Sequence, residues 1–228
     1  MQFDVSKLMR FFGLSDLAGT AGGVCGVDIG SSSIKVVELR RERGAAALRT
    51  YGELQLGPYA NTEIGRATNL GPAALSQALT DILREAAVQS KKAAFGISYG
   101  ASFLTVITLP TREENELASM VPIEARKYVP VPINEVTIDW FVIPEARGDG
   151  GEGERPAATR VLLAAIHNEA LAKYHAVAKN AALVTGFTEI EAFSTIRSSV
   201  LEEDGTVAIL DFGAAATKLY VVAGGIVQ

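Results

Sequence analysis

Cysteine and histidine are almost absent from this sequence of 228 residues. The one cysteine, Cys25, cannot form an internal disulfide and is interpreted as a small core residue. The two histidines, His167 and His175, lack the neighbouring acids or cysteines of a metal site. No apolar run is long enough to cross a bilayer. Lysine and arginine number 21 against 26 acidic residues and form no basic stripe, which argues against a nucleic-acid partner. This composition predicts a globular protein of a reducing cytoplasm, with one large or two modest domains.

The segment Gly26–Leu39, GVDIGSSSIKVVEL, combines an acid, a tight turn and two β-branched runs. This pattern predicts a β-hairpin with Asp28 near the end of its first strand. Gly30 can adopt backbone angles that other residues avoid, and the serines after it offer successive N–H groups and small hydroxyls. Those serines are Ser31, Ser32 and Ser33. The segment is therefore either an ordinary hairpin turn or a cradle for a phosphate group.

A second copy of the motif favours the phosphate cradle. Leu210–Val222, LDFGAAATKLYVV, superposes on the first copy with one constant offset. Three positions carry the same residue in both copies, and the pairs are Asp28 and Asp211, Gly30 and Gly213, and Lys35 and Lys218. Two matching units indicate a duplicated fold whose halves face each other across a cleft. Such a cleft would suit a magnesium nucleotide, because Mg²⁺ needs hard oxygen ligands and phosphates need N–H donors.

The paired turns resemble the phosphate-1 and phosphate-2 loops of the actin, Hsp70 and sugar-kinase superfamily of ATPases. Within that superfamily the sequence resembles the PilM family, the actin-like proteins of type IV pilus assembly, and the FtsA division proteins are near relatives. The segments that carry the resemblance are Gly26–Leu39, Glu124–Trp140 and Val161–Val222. The resemblance implies an α/β fold, in which an actin-like, ribonuclease-H-like domain carries an inserted α/β subdomain of the 1C type and an incomplete second half.

The resemblance also implies a division of the chain. A tail at 1–22 precedes subdomain 1A at 23–100 and 183–205, subdomain 1C occupies 101–182, and subdomain 2A starts at 206–228. We expect the tail to pack on the domain, and a weak amphipathic contact with a membrane or partner is the alternative. After Val207–Asp211 only a turn, one more strand and a glycine turn follow. We therefore expect a second half that is cut mid-sheet or completed by a partner.

Local patterns predict the elements of the first part of the chain. A hairpin over Val24–Arg40 and a strand over Ala47–Leu56 form a meander. Pro72 begins an amphipathic helix, and Ala94–Ser98 is a strand.

Proline and glycine shape the predictions for the rest of the chain. Thr111 is predicted to cap a helix that extends to Tyr128, with a kink or a break into two short helices at Pro122. The glycine-rich stretch Pro144–Thr159 is predicted to be a mobile hairpin connection. The remaining predicted elements are strands at Phe103–Leu109, Val136–Ile143, Val161–Ile166 and Thr188–Glu191, and helices from Asn168 and over Ala192–Leu201.

The resemblance assigns roles to residues of both turns. Asp28 and Asp211 would hold Mg²⁺ through its waters. The groups that would approach the phosphates of ATP are Ser31, Ser32, Ser33 and the Gly213–Ala214 backbone. Lys35 follows the first acid by seven residues and either neutralises phosphate or is a solvated strand lysine.

Glu191 occupies the position where relatives carry a residue that orients the attacking water. A glutamate that opens a helix is also a favourable partner for the helix dipole, and we favour that role. Ala214, Ala215 and Ala216 replace the Gly-Gly-Thr-Thr usual in relatives and remove hydroxyl donors, and the adenosine motif of the superfamily has no counterpart here. We therefore expect weak ATP binding by this chain and weak ATPase activity at most.

The implied function is a cytoplasmic scaffold of pilus biogenesis and twitching motility, at the cytoplasmic face of the inner membrane and in only indirect contact with it. PilM-family proteins bind the short N-terminal cytoplasmic peptide of the inner-membrane protein PilN in a cleft by the 1C subdomain, with ATP as a structural ligand. An extended peptide against a sheet edge would be the natural mode. The alternatives are an ATP-hydrolysing or sugar-kinase-like enzyme, and an FtsA-like division or type II secretion homologue. Self-association stays open.

Overall fold

The computed structural model describes residues 23–43, 45–111, 113–143, 158–200 and 205–228. Its strands are β1 Val24–Ile29, β2 Ser33–Glu42, β3 Ala45–Gln55, β4 Lys92–Ile97, β5 Ser102–Leu109, β6 Val136–Val142, β7 Thr159–His167, β8 Val184–Ile190, β9 Val207–Phe212, β10 Thr217–Ala223 and β11 Ile226–Val227. Its α-helices are α1 Pro72–Glu85, α2 Glu114–Ala125, α3 Asn168–Asn180 and α4 Glu191–Ser199. The predicted tail at 1–22 and most of the predicted connection over 144–159 lie outside the described residues.

Five strands form one sheet in the order β3-β2-β1-β4-β8. β1 pairs antiparallel with β2, as the predicted hairpin requires, and parallel with β4, which in turn pairs parallel with β8. A parallel pair needs a crossover, and α1 supplies the one between β3 and β4. The α/β class is therefore confirmed. The carboxyl ends of β1, β4 and β8 meet at one edge of this sheet, which brings the residues that follow them together.

Helix α1 packs on strands β2 and β3. It begins at Pro72, as predicted, because proline has no N–H to leave unpaired in the first turn. Its buried residues Leu75, Ala78, Leu79 and Ile82 recur at intervals of three and four, so one apolar face of the helix meets the sheet.

Cys25 lies in β1 and is fully buried. Burial, followed by the charge of Glu38, raises the pKa of its thiol to about 12. The thiol is therefore protonated at neutral pH and is a small core group, as predicted.

The chain divides into two compact units. One contains the residues up to Tyr99 together with Leu171–Val227, and the other contains Gly100–Ala170 with Gln228. The subdomain bounds given above were drawn from the family resemblance and not from contacts between residues, so they stay a prediction.

The second unit, taken by itself, contains a three-stranded antiparallel sheet in the order β5-β7-β6. Its core consists of buried side chains from this sheet and from α2, and the largest fully buried members are Ile107, Leu109, Leu117 and Leu163. The exposed fraction of each is 2% or less, so the sheet and α2 share one apolar core.

Helix α2 and strand β8 are among the elements that begin at other residues than predicted. The N-cap of α2 is Glu113 rather than Thr111, whose hydroxyl instead accepts the Glu113 N–H at 3.3 Å. Strand β8 begins at Val184, before the predicted Thr188, because residues of Val184–Ile190 pair along the whole length of β4.

The predicted break into two short helices at Pro122 is wrong, and the alternative, a kink, stays a prediction. Helix α2 continues through Pro122 and ends at Ala125, short of the predicted Tyr128. Leu117, Val121 and Ala125 are spaced four apart and all are buried in the core of the second unit. Their packing stabilises the helix although Pro122 cannot donate a backbone hydrogen bond.

Strands β9, β10 and β11 form a separate three-stranded antiparallel sheet. Asp211 lies opposite Lys218 in the register, and Tyr220 follows Lys218 by two residues, so these side chains share one face. The apolar side chains of the other face remain exposed, at 59% for Leu210, 78% for Phe212 and 61% for Leu219.

None of the helices in the described ranges is long and apolar enough to span a membrane.

Candidate functional site

The two hairpin turns have the same backbone geometry. In the first, the Gly30 N–H donates to the Ser33 carbonyl at 2.9 Å. In the second, the Gly213 N–H donates to the Ala216 carbonyl at 3.0 Å. A Cβ on Gly30 would lie 3.1 Å from the accepting oxygen, and one on Gly213 would lie 2.9 Å from it. Both turns are therefore closed so tightly that a side chain at the glycine would disturb them, as the sequence repeat predicts.

The serines of the first turn differ in their surroundings. Ser33 is the first residue of β2 and is 3% exposed, so its hydroxyl is poorly placed to meet a phosphate. Ser31 and Ser32 are partly exposed, and their carbonyls accept the N–H groups of Thr68 and Leu56 at 2.8 Å. These bonds hold the turn in one conformation. The phosphate contacts of the serines stay a prediction, as do those of the exposed Ala214.

Each hairpin pairs its acid with the lysine opposite. Asp28 lies opposite Lys35, with 4.0 Å between Oδ2 and Nζ. Asp211 lies opposite Lys218, with 3.0 Å between Oδ2 and Nζ. The Lys35 side chain is 54% exposed and also lies 4.0 Å from Glu53, and its role at a phosphate stays a prediction. Lys218 is only 24% exposed.

Lys218 joins the second hairpin to the edge of the five-stranded sheet. Its Nζ lies 2.6 Å from Oε1 of Glu191, the first residue of α4. The same oxygen accepts the N–H of Tyr99, which follows β4, at 2.7 Å. Burial disfavours the charge of Lys218, but the hydrogen bonds to Glu191 and Asp211 outweigh burial and raise its pKa above the ordinary value. Lys218 is therefore charged at neutral pH and holds two carboxylates.

Asp28 belongs to the same cluster of charges. Burial is the main reason why its pKa is raised, although about half of its side-chain surface stays exposed. Lys35 and Lys218 lower this pKa, and Glu191 and Asp211 raise it. These four residues come from both hairpins and from α4. Asp211 thus acts on the pKa of Asp28 in the same direction as Glu191, although less than burial does.

The raised pKa of Asp28 predicts a pH dependence. The folded chain holds the Asp28 proton more tightly than the unfolded chain, so this group favours folding below the unfolded pKa and loses that effect as pH rises through the raised folded pKa. Asp28→Asn should therefore gain stability relative to the parent as pH rises above about 4, the unfolded pKa of an aspartate, by less than about 1 kcal/mol because the side chain is half exposed. Urea denaturation at several pH values measures this difference. A difference that is constant with pH would contradict the prediction, and Glu53→Gln serves as the control.

Sequence reasoning missed Lys218, Tyr220 and Tyr99 as members of the site. Tyr220 is 4% exposed, and its hydroxyl has no hydrogen-bond partner among the described residues. Its ring packs edge-on against Tyr99, with 5.9 Å between the ring centroids. Burial and the neighbouring acids raise the pKa of Tyr220 to about 12. For Lys218 and Tyr220 the repeat itself was the available signal. Lys218 occupies the position in the second copy that Lys35 occupies in the first, and Tyr220 lies two residues later on the same face of the strand.

The residues fit a divalent metal only in part. Within the described ranges, no three His, Cys, Asp or Glu side chains are grouped so as to hold a metal ion. Glu191 Oε1 and Asp211 Oδ2 converge on one point, but that point is the ammonium nitrogen of Lys218. The site therefore offers hard oxygen ligands of the kind that Mg²⁺ prefers, while its present geometry uses them to bind a lysine.

A pocket of about 240 Å³ lies beside the first turn. Leu56, Leu75 and Val177 supply apolar walls, and Tyr174 supplies an aromatic one. Among the described residues that line it, Lys173 carries the one charge. Ser31, Thr68, Asn69 and Ser98 add polar walls. A hollow with apolar and polar walls and a single cation suits an apolar group that has an acidic or carbonyl neighbour.

Comparison with known proteins decides the family. The family model described as type IV pilus assembly protein PilM matches residues 26–227. The chain belongs to that family. A solved structure of the PilM-PilN type IV pilus biogenesis complex is similar to this PilM-family chain at 26% sequence identity and a TM-score of 0.71. The match covers 92% of this chain and 60% of that one, so the PilM-family chain spans about three fifths of its length.

A second solved structure supports the fold of this PilM-family chain. It is the cytoplasmic domain of EpsL, an inner membrane component of the type II secretion system of Vibrio cholerae, with 13% identity and a TM-score of 0.52. The match covers 82% of this chain and 63% of that one. An identity this low shows the fold alone. The expected actin-like α/β fold is confirmed, and this PilM-family chain is an actin-like protein of type IV pilus assembly.

Proposed function

We propose that this chain is a cytoplasmic scaffold at the inner membrane that binds the N-terminal cytoplasmic peptide of a PilN-type membrane protein. The match of the PilM family model over residues 26–227 carries the proposal. The similarity to a chain of the PilM-PilN complex supports the choice of partner. The net charge of −5 and the lack of a basic stripe favour a protein partner over nucleic acid.

We further propose that the pocket beside the first turn receives an anchoring side chain of that peptide. Its apolar walls, which include Leu56, Leu75 and Val177, would bury an apolar side chain. Lys173 would pair with an acidic side chain or a carbonyl next to that anchor. In this mode main-chain hydrogen bonds of an extended peptide supply affinity, and the pocket supplies specificity.

Isothermal titration with a synthetic PilN N-terminal peptide from the same organism tests the proposal. We expect saturable binding of the authentic peptide and no binding of a scrambled peptide of the same composition. Lys173→Glu should weaken binding by about tenfold, or ~1.4 kcal/mol, because it replaces the pocket's cation with an anion. Lys179→Glu, an exposed change on the same helix, should stay within about twofold of the parent.

Two results would contradict different parts of the proposal. Absence of heat with the authentic peptide would remove the PilN-type partner. Equal weakening by Lys173→Glu and Lys179→Glu would keep the partner but remove the pocket as the anchor site.

We propose ATP as a structural ligand of the two turns. The tight geometry at Gly30 and Gly213 suits turns whose N–H groups face phosphate oxygens. Asp28 and Asp211 would hold Mg²⁺ through its waters, and a bound nucleotide would supply a negative group that ties both hairpins together. Hydrolysis is the weaker alternative, because Ala214, Ala215 and Ala216 of the second turn supply no hydroxyl donors.

A further inference from the structure

The outward face of helix α2 carries a stripe of four residues at coiled-coil spacing. They are Glu116, Met120, Ile123 and Lys127, which follow one another at intervals of four, three and four. Ile123 is 64% exposed, Met120 is partly buried, and both charged residues are exposed. The opposite face of the helix is buried in the core of the second unit. The α2 stripe therefore leaves a large aliphatic side chain in water, between an acid and a base.

Lys127 keeps its place on the stripe although it lies two residues beyond the last residue of α2. Arg126 has right-handed helical backbone angles, with φ −59° and ψ −21°. The Lys127 N–H donates to the Glu124 carbonyl at 3.0 Å, so the chain makes a further tight turn in the same sense. The helical path thus extends to the end of the α2 stripe.

The charges of the α2 stripe are separated along its length. Glu116 lies towards the N-terminal end, Lys127 lies at the C-terminal end, and the two apolar residues lie between them. Two such stripes in parallel would place like charges side by side. Two antiparallel stripes about a twofold axis instead place Glu116 of each copy beside Lys127 of the other, with Met120 beside Ile123 in the middle. The stripe is therefore complementary to itself in the antiparallel orientation.

Both charged groups have partners within the chain and keep capacity for another. The Glu116 carboxylate accepts the Thr111 hydroxyl, and Lys127 Nζ lies 2.8 Å from the Glu124 carboxylate. A carboxylate has several acceptor sites on two oxygens, and an ammonium group has three donors. The Lys127 side chain is 67% exposed, so a second carboxylate can reach it from outside.

We propose that the α2 stripe is the seam of a homodimer, in which two copies of this chain pack α2 against α2 in antiparallel orientation. The inference goes beyond peptide binding and does not rest on it. A helix of 12 residues covers less than the about 800 Å² per partner of a standard interface. The dimer is accordingly weak, and we expect a Kd between about 10 µM and 1 mM.

Sedimentation equilibrium of the full chain across that range of concentration tests the inference. Glu116→Lys alone places like charges at both ends of the seam, and so does Lys127→Glu alone. Each variant should therefore dimerise at least about tenfold more weakly than the parent. In an equimolar mixture of the two variants, both ends of the seam again join an acid to a base. The mixture should form a heterodimer with a Kd within about threefold of the parent value.

Matched controls separate the seam from other surfaces. Ile123→Glu places a charge at the centre of the seam and should weaken dimerisation at least about tenfold. Leu219→Glu makes the same kind of change at a residue that is 61% exposed in β10, and it should stay within about twofold of the parent. Glu169→Lys repeats the charge change of Glu116→Lys on the exposed first turn of α3 and should also stay within about twofold.

A parent chain that stays monomeric at about 1 mM would overturn the inference. A mixture of Glu116→Lys with Lys127→Glu that associates no better than either variant alone would also overturn it. Equal weakening by Ile123→Glu and Leu219→Glu would do the same, since the effect would not belong to α2. The experiment contains no peptide, so its failure and a failure of PilN-type peptide binding are separate outcomes.

Discussion

Replacing Glu38 by alanine should lower the free energy of unfolding by about 3–5 kcal/mol. Glu38 lies in β2 with 1% of its surface exposed. Its carboxylate accepts the N–H of Ser90 at 2.6 Å and that of Gln89 at 3.2 Å, and it pairs with Arg49 at 3.0 Å. Alanine would leave these donors without their acceptor in a buried site, and an unsatisfied buried donor costs about 1–3 kcal/mol.

Urea denaturation followed by far-ultraviolet circular dichroism measures the effect of Glu38→Ala. Glu53→Ala on the adjacent strand is the control, because its side chain is 50% exposed and its loss should cost no more than about 0.5 kcal/mol. Faster hydrogen exchange at the Ser90 amide should accompany the change, since that N–H loses its acceptor. Similar denaturation midpoints for the two variants would show that Glu38 does not anchor the segment before β4.

Replacing Phe95 by alanine should cost about 3–5 kcal/mol. Phe95 is 1% exposed in β4, between β1 and β8, so the neighbouring strands leave little freedom to collapse around a cavity. Its ring also packs edge-on against Tyr174, with 6.3 Å between the centroids and an angle of 79° between the planes. Such a contact adds about 0.5–1.5 kcal/mol to the effect of burial.

Hydrogen exchange of the β4 amides, read by mass spectrometry, measures the loss in Phe95→Ala. This probe is preferable to tryptophan fluorescence, because the single tryptophan, Trp140, belongs to the second unit. Tyr51→Ala is the control, since Tyr51 is 70% exposed in β3 and its ring fills no cavity. Unchanged protection of β4 in Phe95→Ala would contradict the prediction.

Much of the fold follows from patterns that span a few residues. Alternating apolar residues around the Gly-Ser turn predicted the pairing of β1 with β2, and the register places Asp28 opposite Lys35. Pro72 predicted the start of α1, because proline is favoured in the first helical turn. Of the two outcomes predicted at Pro122, a kink or a break, the break does not occur, because tertiary packing of α2 outweighs the hydrogen bond lost at proline.

The candidate site was predicted only in part. The repeat pointed to Asp28, Asp211 and both glycine turns; the structure shows both turns to be tight, and the role of the two acids stays a prediction. Glu191 was favoured as a partner of the helix dipole, and its position in the first turn of α4 is compatible with that role. Its hydrogen bonds to Tyr99 and Lys218 add a bridging role that helix propensity does not indicate.

The sequence by itself determined the two hairpins, their acids and the family. Turn residues and strand alternation act within a few residues, and the second copy of the motif can be aligned with the first position by position. Only the tertiary structure decided that Lys218 lies within 3.0 Å of two carboxylates, whereas Lys35 lies 4.0 Å from its two. The reason is that Glu191 lies 27 residues before Lys218, and their contact depends on where α4 begins relative to β10. The tertiary structure likewise decided that Glu38 is buried, since its partners at Gln89 and Ser90 are more than 50 residues away. A charged residue is stable in a core only where such distant donors meet it.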